Sequence, residues 1–387
     1  MIEIKNKTKC CGCSACFNVC PTNAIEMAED EYGFKYPVVN KEKCINCGLC
    51  EKKCPILNKK EKNNNTPKSY ACYNKDENIR EKSSSGGIFS LFAEYILDKG
   101  GVVFGAAFNS KNIVEHIYID NREDLYKLRT SKYVQSTIGN TYKEVKKFLD
   151  NGRYVLFTGT PCQVNGLFSY LGKEYENLYT QDFICHGVPS PKVWRKYLKY
   201  RKNQDNQEPI NINFRDKSEG WENFSLAFEY KKGSYRKDLT EDLYMKAFLR
   251  EACLRDSCYK CFFKEKNRRT DVTIADFWGI QNLLPELNDN KGVSLLIVNT
   301  DKGEKLKKSI DDKIICKETE FEKSIIYNIS MYTSVEKPRS RKNFFKNLDN
   351  MEFDELVKKY TVISKLTFRK KVIRKLKKIL KKVLKAN

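Results

Sequence analysis

Two stretches decide the reading of this chain: CCGCSACFNVCP at Cys10–Pro21 and CINCGLCEKKCP at Cys44–Pro55. With Cys11 set aside, each has the spacing C-x2-C-x2-C-x3-C followed by proline. Three thiolates so closely spaced wrap three irons of a [4Fe–4S] cluster from one tight loop, while the fourth begins the next segment and reaches the other cluster. The spacing therefore assigns Cys10, Cys13, Cys16 and Cys54 to one cluster and Cys44, Cys47, Cys50 and Cys20 to a second. Zinc ribbons, the competing use of clustered cysteines, want two C-x2-C pairs rather than four-cysteine runs. Cys11 reads as a spare thiol.

Residues 1–57 are thus expected to form a ferredoxin-type 2[4Fe–4S] domain, which carries electrons and has no substrate of its own. Residues 58–67, NKKEKNNNTP, are polar and low in complexity and read as a linker. The 387 residues allow two or three domains. No apolar run is long enough to span a bilayer, and the first residues lack the apolar core of a secretory signal. Sixteen cysteines in such a chain point to metal ligands or catalytic thiols in a reducing cytoplasm, not to a secreted disulfide framework.

Beyond the linker the pattern becomes α/β. Helices are expected over Ser83–Lys99, near Tyr142–Leu149, from Pro161, over Pro191–Tyr200 and in DKGEKLKKSI after Thr300. Strands are expected at Val102–Phe108, Ile113–Ile119, Tyr154–Gly159, Leu178–Cys185 and Val293–Thr300. Alternation of this kind favours a buried mixed or parallel sheet flanked by helices. The fold class is therefore a large α/β (α+β) domain over 68–335, preceded by the small ferredoxin-like domain and followed by a basic helical tail over 336–387.

The large domain has its own cysteines. Cys162 follows one strand at a helix start, Cys185 ends another strand, and Cys258 and Cys261 form a C-x2-C. Open α/β sheets place their chemistry at the carboxyl ends of strands. Four thiolates from three loops fit a third [4Fe–4S] cluster, with zinc the main competitor and Cys253 a possible replacement for one ligand. Cys72 and Cys316 read as small buried hydrophobes.

Six segments, SSSGGIFS (Ser83–Ser90), SKYVQS (Ser131–Ser136), GTPCQV (Gly159–Val164), ICHGVPSP (Ile184–Pro191), CYKC (Cys258–Cys261) and RRTDVTIADFWGI (Arg268–Ile280), occur in the order found in a known family. The large domain resembles the β-subunits of hydrogenases and formate dehydrogenases that reduce the deazaflavin coenzyme F420, a family that also includes a flavin-dependent reductase of plant chlorophyll derivatives. The resemblance implies a flavin, usually FAD and alternatively FMN, beside a [4Fe–4S] cluster, and supports Cys162, Cys185, Cys258 and Cys261 as its ligands. Candidate flavin contacts are Ser85, Gly86 and Gly87 before a helix start, whose free N–H groups suit a phosphate, then Lys132, Gln135, Ser136, Thr158 and Thr160. The turn Asp276–Gly279 either packs against flavin or cluster or fills core. There is no G-x-G-x-x-G, so a Rossmann dinucleotide site is not supported.

The expected activity is an oxidoreductase in which single electrons pass between clusters and a flavin that exchanges hydride with a substrate. That substrate is the deazaflavin or another compound, such as a surface-polysaccharide intermediate; no catalytic acid is named. The alternative is a non-catalytic electron-transfer subunit of a larger redox complex. Partners are a redox protein or a small-molecule electron donor or acceptor. A cysteine hydrolase using Cys162 and His186 is a weaker rival. Nucleic acid is not expected, because half of the net charge of +22 sits in eleven Lys/Arg of Lys365–Asn387. In that tail Val372, Ile373, Leu376, Ile379, Leu380, Val383 and Leu384 form one helical stripe amid lysines. Such a helix can lie on an anionic inner-membrane face.

Overall fold

The computed structural model describes residues 1–58 and 66–361. Most of the linker, and the amphipathic helix expected in the tail, lie outside the described residues.

Eight strands form the central sheet, in the order 314–319, 68–74, 294–298, 272–276, 178–183, 155–158, 102–108, 114–119. The four from 272–276 to 102–108 run parallel, and the flanking pairings are antiparallel. Side chains alternate between faces along a strand, and each face has its own apolar layer. Val103 and Leu156 meet Leu91, Phe92 and Ile96 of the helix Ile88–Asp98 and Leu306 of the helix Asp301–Lys308. Val102, Phe104, Val155 and Phe157 point the other way, onto Tyr142, Val145, Val164 and Leu167 of the helices Thr141–Asp150 and Pro161–Leu171. Each such side chain contributes about 1.5–3 kcal/mol on full burial.

The helix expected from Ser83 starts later, at Ile88. Gly87, at φ 84°, caps it in the left-handed region, which glycine enters without steric cost. The serines stay outside as a turn, because Gly86 is pressed against strand 68–74: a Cβ there would lie 2.6 Å from the Cys72 carbonyl oxygen. An additional antiparallel sheet of strands 211–216, 225–229 and 234–238 covers an aromatic core of Trp194, Phe214, Phe228 and Tyr244.

At the N-terminus, the short helices Ala15–Val19 and Leu49–Lys52 pack beside the hairpin 25–29/35–39. This region sits directly on the helix Pro161–Leu171. A Cβ at Gly166 would stand 2.8 Å from Cys13 Cβ and 2.7 Å from the Tyr142 hydroxyl. Residues 341–346 and 353–360, placed by the sequence reading in the tail, form helices whose Phe344, Phe345, Phe353, Leu356 and Val357 are buried in the aromatic core. Tyr32 stacks on Phe345 with ring centroids 4.4 Å apart.

Candidate functional site: two cysteine groups and a polar cleft

Cys10 and Cys13 lie on the loop before the helix Ala15–Val19, Cys16 in its first turn and Cys20 at its end. Cys44 and Cys47 lead to the helix Leu49–Lys52, which carries Cys50, and Cys54 follows it. Burial, joined by the nearby charges of Cys10, Cys54 and Cys50, pushes the Cys16 thiol up to about 12. Burial likewise raises Cys54, with Cys10 and Cys50 adding to it. Cys54, from the second run, therefore lies within electrostatic reach of Cys10 and Cys16 from the first. Backbone N–H groups aim at sulfur: Ile2 N–H donates to Cys50 Sγ (3.3 Å) and Ala24 N–H to Cys20 Sγ (3.2 Å). Soft sulfur donors met by N–H groups fit an iron–sulfur cluster, whose potential such bonds tune.

Cys162 is in the first turn of the helix after strand 155–158, Cys185 follows strand 178–183, and Cys258 and Cys261 border the turn Asp256–Lys260. All four line one cavity of about 30 Å³. Cys11 lines it too, buried and hydrogen-bonded toward both Cys13 and Cys162. The spare thiol thus stands between the first cysteine run and the second group. Val188 N–H donates to Cys258 Sγ (3.4 Å). Cys253 does not line the cavity; it packs in the aromatic core. Among the described residues no three of His, Cys, Asp or Glu could hold a single metal ion; the four thiols instead surround a space. Cys162 is raised well above the usual thiol range by its hydrogen bond with Cys11 and by burial. That is the opposite of an activated nucleophile and argues against the hydrolase.

The cavity adjoins a cleft of about 610 Å³; Thr160, Cys185, Gly187 and Val188 line both. Of the sequence candidates, Ser85, Gly87, Lys132, Gln135, Ser136, Thr158 and Thr160 line the cleft. Gly86 does not; its N–H donates to Ser294 Oγ (2.9 Å). Lys132 Nζ donates to the carbonyls of Lys127 and Arg129, and burial lowers its ammonium to about 7. Asp276 lines the cleft and accepts from Arg215 Nη2 and Trp221 Nε1, both at 2.7 Å, while Trp278 stacks on Trp221.

Sequence reasoning missed several lining residues. His116 is held between Ser136 Oγ (2.9 Å) and the Thr158 carbonyl (3.0 Å), and burial lowers it to about 4, so it is neutral. Gln163 donates to Ser136 Oγ (2.9 Å) and accepts from Thr160 N–H (2.9 Å). Three further buried cleft atoms, Gln181 Oε1, His186 Nε2 and Arg215 Nε, have no hydrogen-bond partner among the described residues. Buried polar atoms are normally satisfied, so the cleft fits a polar ligand as large as a flavin. The Thr160–Gln163 capping box is a local signal that could have pointed to Gln163, whereas His116 and Arg215 meet partners that are remote along the chain.

Residues 9–57 match the family model of the 4Fe-4S dicluster domain. Residues 69–141 and 152–324 match the models of the coenzyme F420 hydrogenase/dehydrogenase beta subunit, N-terminal and C-terminal parts. A curated relative, the coenzyme F420-dependent sulfite reductase of Methanocaldococcus jannaschii, is 26% identical over 60% of this chain. That match covers 35% of the relative, so the chain spans about a third of its length. Among solved structures, a chain of the F420-reducing [NiFe] hydrogenase complex from Methanosarcina barkeri aligns with TM-score 0.44 and 16% identity, over 65% of this chain and 81% of that one. Together, the two matched halves, the dicluster region and the cysteine-lined cavity place the chain in the coenzyme F420 hydrogenase/dehydrogenase beta-subunit family, as an iron–sulfur oxidoreductase-type protein of electron transfer.

Proposed function

We propose that the chain is an iron–sulfur flavoprotein oxidoreductase with three [4Fe–4S] clusters. Cys10, Cys13, Cys16 and Cys54 hold the first, Cys44, Cys47, Cys50 and Cys20 the second, and Cys162, Cys185, Cys258 and Cys261 the third. FAD or FMN occupies the cleft against Ser85, Gly87, Lys132, Gln135, Ser136, Thr158 and Thr160. The observation that carries this reading is the shared wall: the cavity lined by four cysteines adjoins a flavin-sized cleft at Thr160 and Cys185.

A bound flavin would supply the conversion between single electrons and a hydride. The chain's part is placement. The linked side chains of His116, Ser136, Gln163 and Thr160 fix the cleft floor. Lys132 presents a group close to half-protonated at neutral pH. Arg215 lines the cleft with its Nε unpartnered among the described residues. The substrate is the deazaflavin coenzyme or another hydride acceptor, such as an intermediate of surface-polysaccharide assembly.

A second reading, a non-catalytic electron-transfer subunit, is favoured by the match to family models described as a beta subunit. In either case the proposed division is a ferredoxin domain over 1–57, a linker over 58–67 and a large domain from 68 that takes in the helices 341–346 and 353–360, and the protein works in the cytoplasm with the basic tail after residue 361 on the inner membrane face. The test is anaerobic purification. About twelve irons per chain and a flavin released on denaturation are expected, together with reduction of an acceptor by the isolated chain. Full cofactor content without turnover favours the subunit reading. Absence of flavin after attempted reconstitution defeats the flavoprotein.

A further inference from the structure

Arg255 is completely buried at the seam between the cysteine runs and the large domain. Its Nε donates to the Cys10 carbonyl (2.8 Å), Nη1 to Gln135 Oε1 (3.0 Å), and Nη2 to the Lys35 carbonyl (2.9 Å) and toward Cys10 Sγ (3.7 Å). The guanidinium lies 4.2 Å from the Tyr36 ring centroid. The loop is shaped around it: Gly12, at φ +70°, would place a Cβ 2.9 Å from the Arg255 guanidinium carbon. Among the described residues no carboxylate forms an ion pair with it; the adjacent Asp256 is taken by Lys337 and Arg341. A buried charge without a counter-charge is strongly unfavourable, and the hydrogen-bond acceptors around it are two backbone carbonyls, one amide oxygen and the Cys10 sulfur.

We propose that the first cluster is the counter-ion of Arg255, and that Arg255 raises that cluster's reduction potential. This rests on the assignment of Cys10 to that cluster. Four thiolates give the cluster a net negative charge, and reduction adds one electron to it. A fixed cation at Cys10 therefore favours the reduced form. Arg255 also joins the three sites. It lies three residues before Cys258, its N–H donates to the Val188 carbonyl (3.0 Å) beside the third group, and its partner Gln135 donates to the Cys11 carbonyl (3.1 Å) and lines the cleft.

The experiment is an EPR-monitored redox titration of the reconstituted full chain. The first cluster is identified as the signal lost in Cys16→Ser. In Arg255→Gln its reduction equilibrium should become at least about tenfold less favourable, which is 59 mV for one electron, while the other clusters keep their midpoints. Arg255→Lys, which keeps the charge, should recover most of the shift. A second route leaves the arginine in place: Gln135→Glu sets a carboxylate beside it and should lower the same midpoint. If neither Arg255→Gln nor Gln135→Glu moves the first cluster alone, the proposal is overturned. A wild-type iron content near eight would instead remove the third cluster and leave this test valid on the ferredoxin pair.

Discussion

The N-terminal cysteines and those of the large domain are assembled by different means. Cys10, Cys13 and Cys16 are brought together by seven residues of chain, and only Cys54 and Cys20 need a second segment to arrive. Cys162, Cys185, Cys258 and Cys261 come from strand ends and a turn nearly a hundred residues apart, and the sheet alone gathers them. A run of local ligands tolerates some loosening of its surroundings. A site gathered by a sheet has no existence apart from that sheet.

The largest effect expected from this contrast is complete loss. Cys258→Ser should remove about four of twelve irons and leave the signals of the ferredoxin pair intact, as read by iron analysis and EPR. Loss of all clusters together would erase the distinction. Next comes Arg268, which lines the cysteine cavity and pairs with Asp182 at 3.0 Å, both side chains buried. Asp182 also accepts from Thr270 and Thr273. Arg268→Ala leaves that carboxylate without its cation and should cost about 3–5 kcal/mol in denaturant unfolding. The third cluster should go with it while the first two are retained. A cost below about 1 kcal/mol would mean the large domain does not depend on this network.

A smaller effect concerns Lys132. Its ammonium is lowered to about 7 by burial, so the free base prevails above that value and the cation below it. Binding of a flavin phosphate that uses this lysine should tighten severalfold as pH falls from about 8 to about 6, because a cation becomes available. Lys132→Met should flatten that slope in a fluorescence titration. An unchanged slope in the variant would remove Lys132 from the binding site. The smallest effect is on the tail. Each basic residue near an anionic surface contributes about 1 kcal/mol, so the full chain should co-sediment with anionic vesicles at low salt. Salt should release it, and a version ending at Ser364 should not bind. Equal behaviour of both versions would dispose of the membrane helix.

The legible parts of the molecule were those encoded over short distances. The cysteine runs, the strand Val102–Phe108 and the helix opened by Pro161 depend on neighbours within a few residues. The serine turn misled because its composition is that of an ordinary helix cap, whereas the start at Ile88 is imposed by the contact of Gly86 with a different strand. His116 and Arg215 carry no signal of their own; each becomes a cleft residue only when partners 20 and 61 residues distant arrive. Cys11 was read as surplus because the spacing rule had no place for it. Its position beside both Cys13 and Cys162 is a property of the docked assembly.

The missing side chain at Gly166 bears on how such a protein can be taken apart or rebuilt. A segment of polar residues between two regions invites the engineer to treat the first as a cassette, to be excised, exchanged or fused elsewhere. Here the seam has no clearance for even one methyl group between Cys13 and the helix carrying Cys162. A foreign ferredoxin spliced before residue 68 would have to reproduce that contour atom for atom. Grafts are therefore expected to succeed when the donor module is cut together with its mating helix, and to yield misdocked hybrids when it is cut at the linker.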